Sequence, residues 1–432
     1  MKLRITKPKV TKPKVIKPRG SWALAGMLLL LLVVLPIWLA PHWIGAMSTI
    51  LIAALFALAF SLLMGQAGML SFGHGAYFAV GCFATVHVMR AIEAGAWSLP
   101  TPLLPLVGAV AGLAVGALAG FFATLRGGVY FSMVTLAMAE LLHTIAPNMQ
   151  GIFGGEVGIT SMRQPWAGIG FGSERDVYYL VLAWFVISAL GMYLYTMTSF
   201  GRLTVALREN EQRLAFLGFN VHRTKNVVFS VSCMFAGIAG GLLAVTNESA
   251  NYVLFGMSYS ADVVLFSYIG GIGTFIGPAV GAAAMTLFGF AVSDLTRQWL
   301  LYQGLIFILV MMYAPAGLVE YVATSCRQLL NGEGPTLKQR AAVFVPAVLI
   351  AATTVFLCEM MGTLLSQDYQ AQRARSRIWE PVTIFRVQWS PDHWSTWLLP
   401  ALCLAAAVAC LAYQTRLARS RVVIKSLQEE QP

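Results

Sequence analysis

Long apolar segments separated by short polar ones dominate the hydropathy pattern of this chain. From Gly20 to Met89 the sequence contains no Asp, Glu, Lys or Arg, whereas one membrane-spanning helix needs only about 20 apolar residues. Several spans must therefore fit into this stretch. The same pattern continues beyond this stretch. Over the whole region it predicts helical spans near residues 22–40, 44–64, 72–89, 103–125, 129–147, 177–197 and 227–245.

Composition places the chain among membrane proteins. Hydrophobic residues make up 58% of it, charged residues only 11%, and the mean hydropathy is +0.72, whereas about 25% of the residues of a soluble domain are charged. We therefore predict an all-α polytopic membrane protein. The six cysteines show no CxxC spacing, so neither a disulfide framework nor a zinc site is expected.

The net charge of +11 comes largely from the N-terminal tail, residues 1–20, which is rich in Lys and Arg and contains no acid. Its recurrent Lys-Pro dipeptides favour an extended, solvated conformation. Under the positive-inside rule the tail and the N-terminus lie in the cytoplasm, where basic residues contact anionic lipid head groups. The lipid membrane, and no nucleic acid, is therefore the expected partner of this charge.

Counting spans from the cytoplasmic tail sets the sidedness of the loops. The basic segment 198–225 then lies in the cytoplasm and the loop 148–176 outside, as the positive-inside rule requires. Residues 298–314 form a later span that should end inside, because Arg327 and other basic residues follow it. The segment 262–292 must therefore cross twice or dip and return.

Two glycine-rich breaks interrupt the apolar pattern, at residues 65–75 and 270–278. Broken backbone at membrane depth is tolerated only where it is buried in protein or lines a cavity. Paired breaks are typical of a substrate path between membrane repeats, and close packing of small residues is the alternative. The hypothetical substrate path comprises Gly65, Gln66, Gly68, Ser71, His74, Glu140, Gly270, Gly271 and Gly273.

Two polar residues of this path have a structural alternative. Glu140 lies in the middle of an apolar span, where a charge costs about 2.5 to 3.5 kcal/mol, so it must be paired, hydrated or protonated. It either serves the pathway or forms a structural hydrogen bond, and His143, one helical turn away, is a possible partner. His74 either donates to substrate or holds the broken backbone in place.

A short helix is predicted within segment 198–225, from Asn210 to Gly218. Asn210 is a favourable N-cap, and Gly218 can close the last turn in the left-handed conformation. Two helical turns are unstable alone in water, so the helix must dock on a partner or lie on the bilayer. The predicted docking face consists of Leu203, Leu207, Leu214 and Leu217, with Arg208, Glu209 and Arg213 directed to solvent or to partner charges.

Six motifs, in order over roughly residues 40–320, resemble those of the permease subunit of ABC importers in the branched-chain amino acid family. The most specific is GQAGMLSFGHGAYF at residues 65–78. The others are Leu125-Arg126-Gly127-Gly128, Gly154-Gly155-x-x-Gly158, the cytoplasmic series from Phe200 to Gly218, Gly270-Gly271-x-Gly273 with Gly277-Pro278, and Pro315-Ala316-Gly317-Leu318.

The resemblance implies a bacterial inner-membrane permease of about ten spans with broken helices, which moves its substrate by alternating access. Its implied partners are ABC ATPase subunits, a second permease subunit, identical or homologous, and a periplasmic substrate-binding protein. Branched-chain amino acids are the leading substrate, with urea, short amides and aromatic acids left open. The segment 210–218 would be the coupling helix. The implied ATPase-coupling residues are Arg208, Glu209, Asn210, Glu211, Ala215 and Gly218.

ATP is expected on the partner subunits and no cofactor on this chain. The sequence contains no GxxxxGK[ST] motif, and the dipeptide Gly-Lys does not occur in it, so a Walker A site is absent. No catalytic residues are assigned, and the chain is expected not to be an enzyme.

The chain extends well beyond the Pro315–Leu318 motif, after which family permeases usually stop. We expect a core over residues 21–320, a linker at 321–340 and an extension at 341–432. The extension contains two further predicted spans, near residues 341–360 and 395–413. Several arginines between these spans fall on the predicted outer side, against the positive-inside rule.

Two other functional classes compete with the importer hypothesis. An ion-coupled secondary transporter is favoured by Glu140 and by the broken helices. A membrane-embedded enzyme would need a cluster of reactive side chains at one depth, and the sequence suggests only the neighbouring pair Ser71 and His74.

Overall fold

The computed structural model describes residues 19–406 and 409, except 167, 169, 295, 297, 331–336, 377, 378, 380, 385, 386 and 399. Nearly all of the predicted basic tail, residues 1–18, therefore lies outside the described residues. The chain divides into two compact units, one up to Ser260 and one from Ala261 onward.

The first unit is built of helices and one short antiparallel strand pair. Its helices are α1 (Arg19–Trp38), α2 (Pro41–Ser61), α3 (His74–Glu93), α4 (Leu104–Ala123), α5 (Val129–Ile145), α6 (Gln150–Phe153), α7 (Glu174–Met197), α8 (Ser199–Glu209), α9 (Glu211–Phe216) and α10 (Val221–Asn247). Strands β1 (Ile159–Thr160) and β2 (Ser249–Ala250) pair between the loop after α6 and the end of α10.

The apolar spans predicted in this unit are confirmed as helices, with small shifts of their ends. Within the described residues, six helical segments are long and apolar enough to cross a membrane, or seven if a bent pair in the second unit counts as one span. The six are Pro41–Gln66, His74–Glu93, Thr101–Ala123, Val129–Asn148, Glu174–Met197 and Val221–Asn247. The chain is thus an all-α polytopic membrane protein.

Helix α10 is the centre of the first unit and packs against α4, α3 and α2. A row of glycines on α4, spaced four residues apart, allows its backbone to contact that of α10. A Cβ atom on Gly237 would clash with the carbonyl group of Gly108 and lie 3.1 Å from Cα of Gly112. Gly81 of α3 contacts Gly237 in the same way. Small residues at these positions let the helices approach closely where no hydrophobic effect drives them together.

The second unit begins within helix α11 (Met257–Gly270), which starts at the end of the first. It continues with α12 (Gly277–Ser293), α13 (Trp299–Tyr313), α14 (Leu318–Leu330), α15 (Leu337–Leu364), α16 (Gln367–Ser376), strands β3 (Val382–Ile384) and β4 (Val387–Trp389), and a last helix, α17 (Trp394–Ala406). The two short helices α11 and α12 on either side of residues 271–276 confirm the predicted break.

The glycines of this second break contact other backbone segments. A Cβ atom on Gly270 would clash with the carbonyl oxygen of Gly277. A Cβ atom on Gly271, which has φ +104°, would lie 2.6 Å from the carbonyl oxygen of Ala316. Gly317, at φ +92°, faces Gly271 in turn. Only glycine adopts such positive φ values without strain, so this break is a close backbone junction with the Pro315–Leu318 motif.

The structure describes part of the C-terminal extension. The first part of the predicted linker, residues 321–330, belongs to helix α14, and the segment between the two extra spans forms α16 and the β3–β4 hairpin. The hairpin packs through Trp389 on Phe356, whose ring centroids are 4.8 Å apart. The end of the span predicted near 395–413 lies outside the described residues.

Replacing Gly237 with alanine tests the backbone contact in the core. We expect Gly237→Ala to lower the free energy of unfolding by about 1 to 3 kcal/mol, the usual cost of overpacking, partly offset by the better helix propensity of alanine. Gly191→Ala is the matched control, because its Cβ atom would lie at an ordinary 3.6 Å from the Phe235 ring. Thermal unfolding of the purified protein in detergent measures both. An unchanged melting temperature for Gly237→Ala would refute the contact.

Candidate functional site

The short helix predicted from Asn210 to Gly218 is confirmed at both ends. The Asn210 side chain accepts a hydrogen bond from the Arg213 N–H at 3.0 Å, and Gly218 adopts φ +86°. The Gly218 N–H donates to the Ala215 carbonyl at 3.0 Å. Helix α9 is therefore capped as its sequence requires.

The predicted single docking face of this region is wrong. Leu207 and Leu214 are each only 2% exposed and lie in an apolar cluster with Phe229, and Leu203 packs against the same cluster. Only Leu217 is exposed, at 69%. Because the extended backbone of Asn210 separates α8 from α9, the leucine spacing does not run along one continuous helix.

A different apolar edge faces outward from α9. Phe216 is 90% exposed, and Leu217 and Phe219 extend the edge. Glu209 and Ala215 are also exposed. An exposed aromatic ring on a polar loop is typical of a surface that another protein or the bilayer covers.

Arg208 is exposed, as the sequence predicts, and it also has a partner within the chain. Its guanidinium group donates to the Gly65 carbonyl at 2.5 Å, and its aliphatic stem lies over Gly68. A Cβ atom on Gly68, which has φ +71°, would lie 2.6 Å from the Arg208 Cγ atom. Arg208 thus connects α8 directly to the first glycine break.

Helix α9 is also fastened to α10 by an ion pair. The Lys225 ammonium group donates to Oε2 of Glu211 at 2.7 Å, with the Lys225 side chain 5% exposed and that of Glu211 48%. A lysine so deeply buried requires a charged partner. Glu211 therefore holds the helix to the membrane core as well as occupying its first turn.

The first break bridges α2 and α3, and side chains from other helices form hydrogen bonds to its backbone. Helix α2 ends in a wide turn, Leu62–Gln66, and the Ser132 hydroxyl of α5 donates to the Leu70 carbonyl at 2.6 Å. The Gly75 N–H donates to the Ser260 hydroxyl at 2.9 Å, while Gly73 lies against the backbone of Thr135 on α5. Polar side chains and close packing take the place of helical hydrogen bonds at this break, because lipid offers no groups that could pair with the backbone.

His74 is completely buried at the first turn of α3. The Ser232 hydroxyl donates to the Ala59 carbonyl at 2.6 Å, so Nε2 of His74, 3.1 Å from that hydroxyl oxygen, must act as the donor to it. The ring also stacks on Phe56, with centroids 5.8 Å apart. This geometry matches the alternative in which His74 holds the break in place. Ser71 is likewise fully buried.

Glu140 and His143 are not brought together as a pair among the described residues. Glu140 is partly buried on α5, and the His143 ring instead stacks on Tyr252, with centroids 5.5 Å apart. Within the part of the chain that the structure describes, no three His, Cys, Asp or Glu residues lie close enough to hold a metal ion.

Sequence reasoning missed an arginine on the opposite side of the unit. Arg163, in the loop before α7, donates to the carbonyls of Val245 and Thr246 at 2.9 and 3.3 Å and pairs with Glu248 at 3.4 Å. These carbonyls end α10, where a cation interacts favourably with the helix dipole. Its position in a loop of mixed charge gives no signal of this role.

Comparison with known proteins agrees with the motif series. The family described as branched-chain amino acid transport system, permease component, matches residues 43–315. The high-affinity branched-chain amino acid transport system permease protein LivM of Escherichia coli (strain K12) is 25% identical over 329 residues, which cover 71% of this chain and 76% of LivM. LivM of Salmonella typhimurium is 25% identical over 317 residues, 68% of this chain and 73% of the relative.

A more distant relative is the ribose import permease protein RbsC of Escherichia coli (strain K12). It is 27% identical over 177 residues, 40% of this chain and 54% of its own length. No solved structure matches the chain.

The ion pair between α9 and α10 yields a stability prediction. Removing one partner of a buried pair costs about 3 to 5 kcal/mol, and because Glu211 is half exposed we expect Glu211→Gln to cost about 1 to 2 kcal/mol. The exposed Glu209→Gln is the control and should leave the melting temperature unchanged. Adding Lys225→Met to Glu211→Gln should recover part of the loss, and a double variant as unstable as the sum of both changes would contradict the pairing.

Proposed function

Because this chain belongs to the family of branched-chain amino acid transport permeases, we propose that it carries branched-chain amino acids, or a related small polar solute, across the membrane by alternating access. It is a multi-pass permease subunit of the inner membrane and works in an ABC transporter with separate ATPase subunits. LivM, a branched-chain amino acid transport permease, matches over a far larger share of the chain than the ribose permease does.

The observation that carries this proposal is the capped helix α9 with its exposed apolar edge. On this proposal the edge formed by Phe216, Leu217 and Phe219 enters a cleft of the ATPase subunit. Asn210 and Gly218 fix the ends of the helix, and Glu209 and Ala215 meet the partner. Helix α9 is the coupling helix.

The contacts of α8 and α9 then transmit the movement of the ATPase into the membrane. Glu211 fastens α9 to α10 through Lys225, and Arg208 connects α8 to the carbonyl of Gly65. A displacement of the coupling segment therefore acts at once on α10 and on the connection between α2 and α3. Both attachments use charged hydrogen bonds, which are among the stronger contacts available to a side chain.

The substrate path is proposed to follow the two breaks. Gly65, Gln66 and Gly68 form the movable part of the first break, which is held through Arg208. His74 and Ser71 fix its inner end. Gly270, Gly271 and Gly273 form the second break, and Glu140 on α5 remains the polar group proposed for the pathway.

The membrane topology that we propose contains more spans than the six described helical segments that are long enough to cross a membrane. We propose about ten core spans plus two in the C-terminal extension, with the N-terminus in the cytoplasm. A second permease subunit, identical or homologous, completes the path, and a periplasmic binding protein delivers the solute. Positive-inside charge and the parity of the spans support the cytoplasmic N-terminus and the core of about ten spans.

Transport in vesicles decides between this function and an ion-coupled secondary transporter, the alternative that Glu140 favours. We expect radiolabelled leucine or valine to be taken up by proteoliposomes that contain this chain, its ATPase and permease partners and the binding protein. Uptake should require ATP and fail with a proton or sodium gradient alone. Accumulation driven by either gradient without ATP would refute the proposal.

Replacing Phe216 with serine tests the docking edge. We expect Phe216→Ser to weaken retention of the ATPase subunits during purification, by roughly tenfold or more in dissociation constant, because truncating an anchor side chain at an interface costs about 2 kcal/mol. Gln212→Ser, an exposed change in the same helix, is the control. Equal retention by the two variants would show that this edge does not bind the ATPase.

A further inference from the structure

A cavity of about 300 Å³ lies between the first break, the turn from α4 to α5 and the start of α9. All of its walls belong to the first unit. They consist of Gly68, Met69, Leu70, Phe72, Arg126, Gly127, Gly128, Val129, Phe131, Ser132, Glu211 and Lys225. Its volume is at the lower end of the range for small-molecule sites.

Charged groups line one side of this cavity. In the ion pair between Lys225 and Glu211 the hydrogen bond goes to Oε2 of the carboxylate, which leaves Oε1 as a second acceptor. Arg126 forms no ion pair among the described residues. Two cations against one carboxylate give the cavity a net positive charge, which favours a ligand that carries a carboxylate.

The turn between α4 and α5 keeps the space beside this ion pair free. A Cβ atom on Gly127 would lie 3.0 Å from the Lys225 nitrogen and 3.5 Å from Oε1 of Glu211. Gly128 follows at φ +63°, a conformation that disfavours any larger residue. Side chains are therefore excluded from the region where the charged groups meet.

The remaining walls are apolar. Met69 and Phe131 are 7% and 1% exposed, and Leu70, Phe72 and Val129 extend this surface. The Ser132 hydroxyl already donates a hydrogen bond to the Leu70 carbonyl. An aliphatic group can be buried here at a gain of about 25 cal/mol per Å².

We propose that this cavity binds an aliphatic amino acid as a zwitterion. Arg126 binds the carboxylate, Oε1 of Glu211 accepts from the ammonium group, and the aliphatic side chain lies against Met69 and Phe131. A guanidinium group is suited to a carboxylate because it can donate two parallel hydrogen bonds. The inference rests on the proposed function and extends it, since it places a binding site for the transported class of solute beside the coupling helix.

The position of this site connects occupancy to coupling. The bound ammonium group would share Glu211 with Lys225, and Glu211 is the residue that fastens α9 to α10. A ligand that stabilises the cavity therefore stabilises one placement of the coupling helix. By linkage, movement of that helix changes the affinity of the cavity by the same factor.

The test is binding of radiolabelled leucine to the full chain in phosphatidylcholine nanodiscs, without the binding protein. Unlabelled leucine should compete best, 4-methylpentanoate, which lacks the ammonium group, should compete more weakly, and 3-methylbutylamine, which lacks the carboxylate, should not compete. Competition by the amine as strong as that by leucine would overturn the proposal. Addition of phosphatidylglycerol should leave leucine binding unchanged, and displacement by it would identify the site as one for lipid head groups.

Two variants locate the binding. We expect Arg126→Gln to weaken leucine binding at least tenfold, because a hydrogen bond to a charged group is lost, and Gly127→Ala to weaken it by crowding the ion pair. The controls are Arg90→Gln at the far end of α3 and Gly151→Ala, whose Cβ atom would meet nothing within 4 Å. Melting temperatures equal to that of the unaltered chain establish that the variants are folded. Leucine binding unaffected by both cavity variants would overturn the proposal.

Uptake by the reconstituted transporter separates this inference from the proposed function. ATP-dependent uptake, together with leucine binding that Arg126→Gln and Gly127→Ala leave unchanged, would refute the cavity site alone. Absence of uptake, together with leucine binding that depends on Arg126, would refute the transport function and leave the site standing.

Discussion

The direct contact between the backbones of α4 and α10 is the constraint on which the rest of the first unit depends. In a membrane, helices gain little from excluding lipid, so their association rests on close packing and on hydrogen bonds. Glycines on both helices remove the side chains that would keep them apart, and Gly81 brings α3 to the same place on α10. Because α10 is held so closely, its N-terminal end carries Lys225 at a fixed position, where it pairs with Glu211 of α9.

Much of this arrangement could be predicted from the sequence because it is local. The apolar spans follow from hydropathy, and the ends of α9 follow from Asn210 and Gly218, which satisfy backbone groups within one turn. The second break follows from the glycines themselves. The recurrence of glycine at every fourth position of α4 is also visible in the sequence and indicates a close helix contact, although not that α10 is the partner.

The directions of side chains could not be predicted in the same way. Periodicity placed Leu203, Leu207, Leu214 and Leu217 on one face, but the extended backbone at Asn210 resets the helical phase and turns three of them inward. In the sequence Arg208 and Lys225 are two of several basic residues in segment 198–225, whereas their partners, Gly65 and Glu211, depend on which helices pack together. Such contacts link positions that are distant in the chain, and no local pattern encodes them.

The two breaks differ in what holds them, and this difference bears on the mechanism. The first is fixed in part by side chains, since Arg208, Ser132 and Ser260 each contribute one hydrogen bond to its backbone, beside the backbone contact of Gly73. The second is fixed by glycines that contact backbone directly, as Gly271 does Ala316. A hydrogen bond from a side chain can be lost and regained while the helices stay packed, whereas a backbone junction separates only if whole segments move apart. If α9 is the coupling helix, as proposed, the first break is the one that can respond to a small displacement of it, and Arg208 is the residue that transmits this displacement.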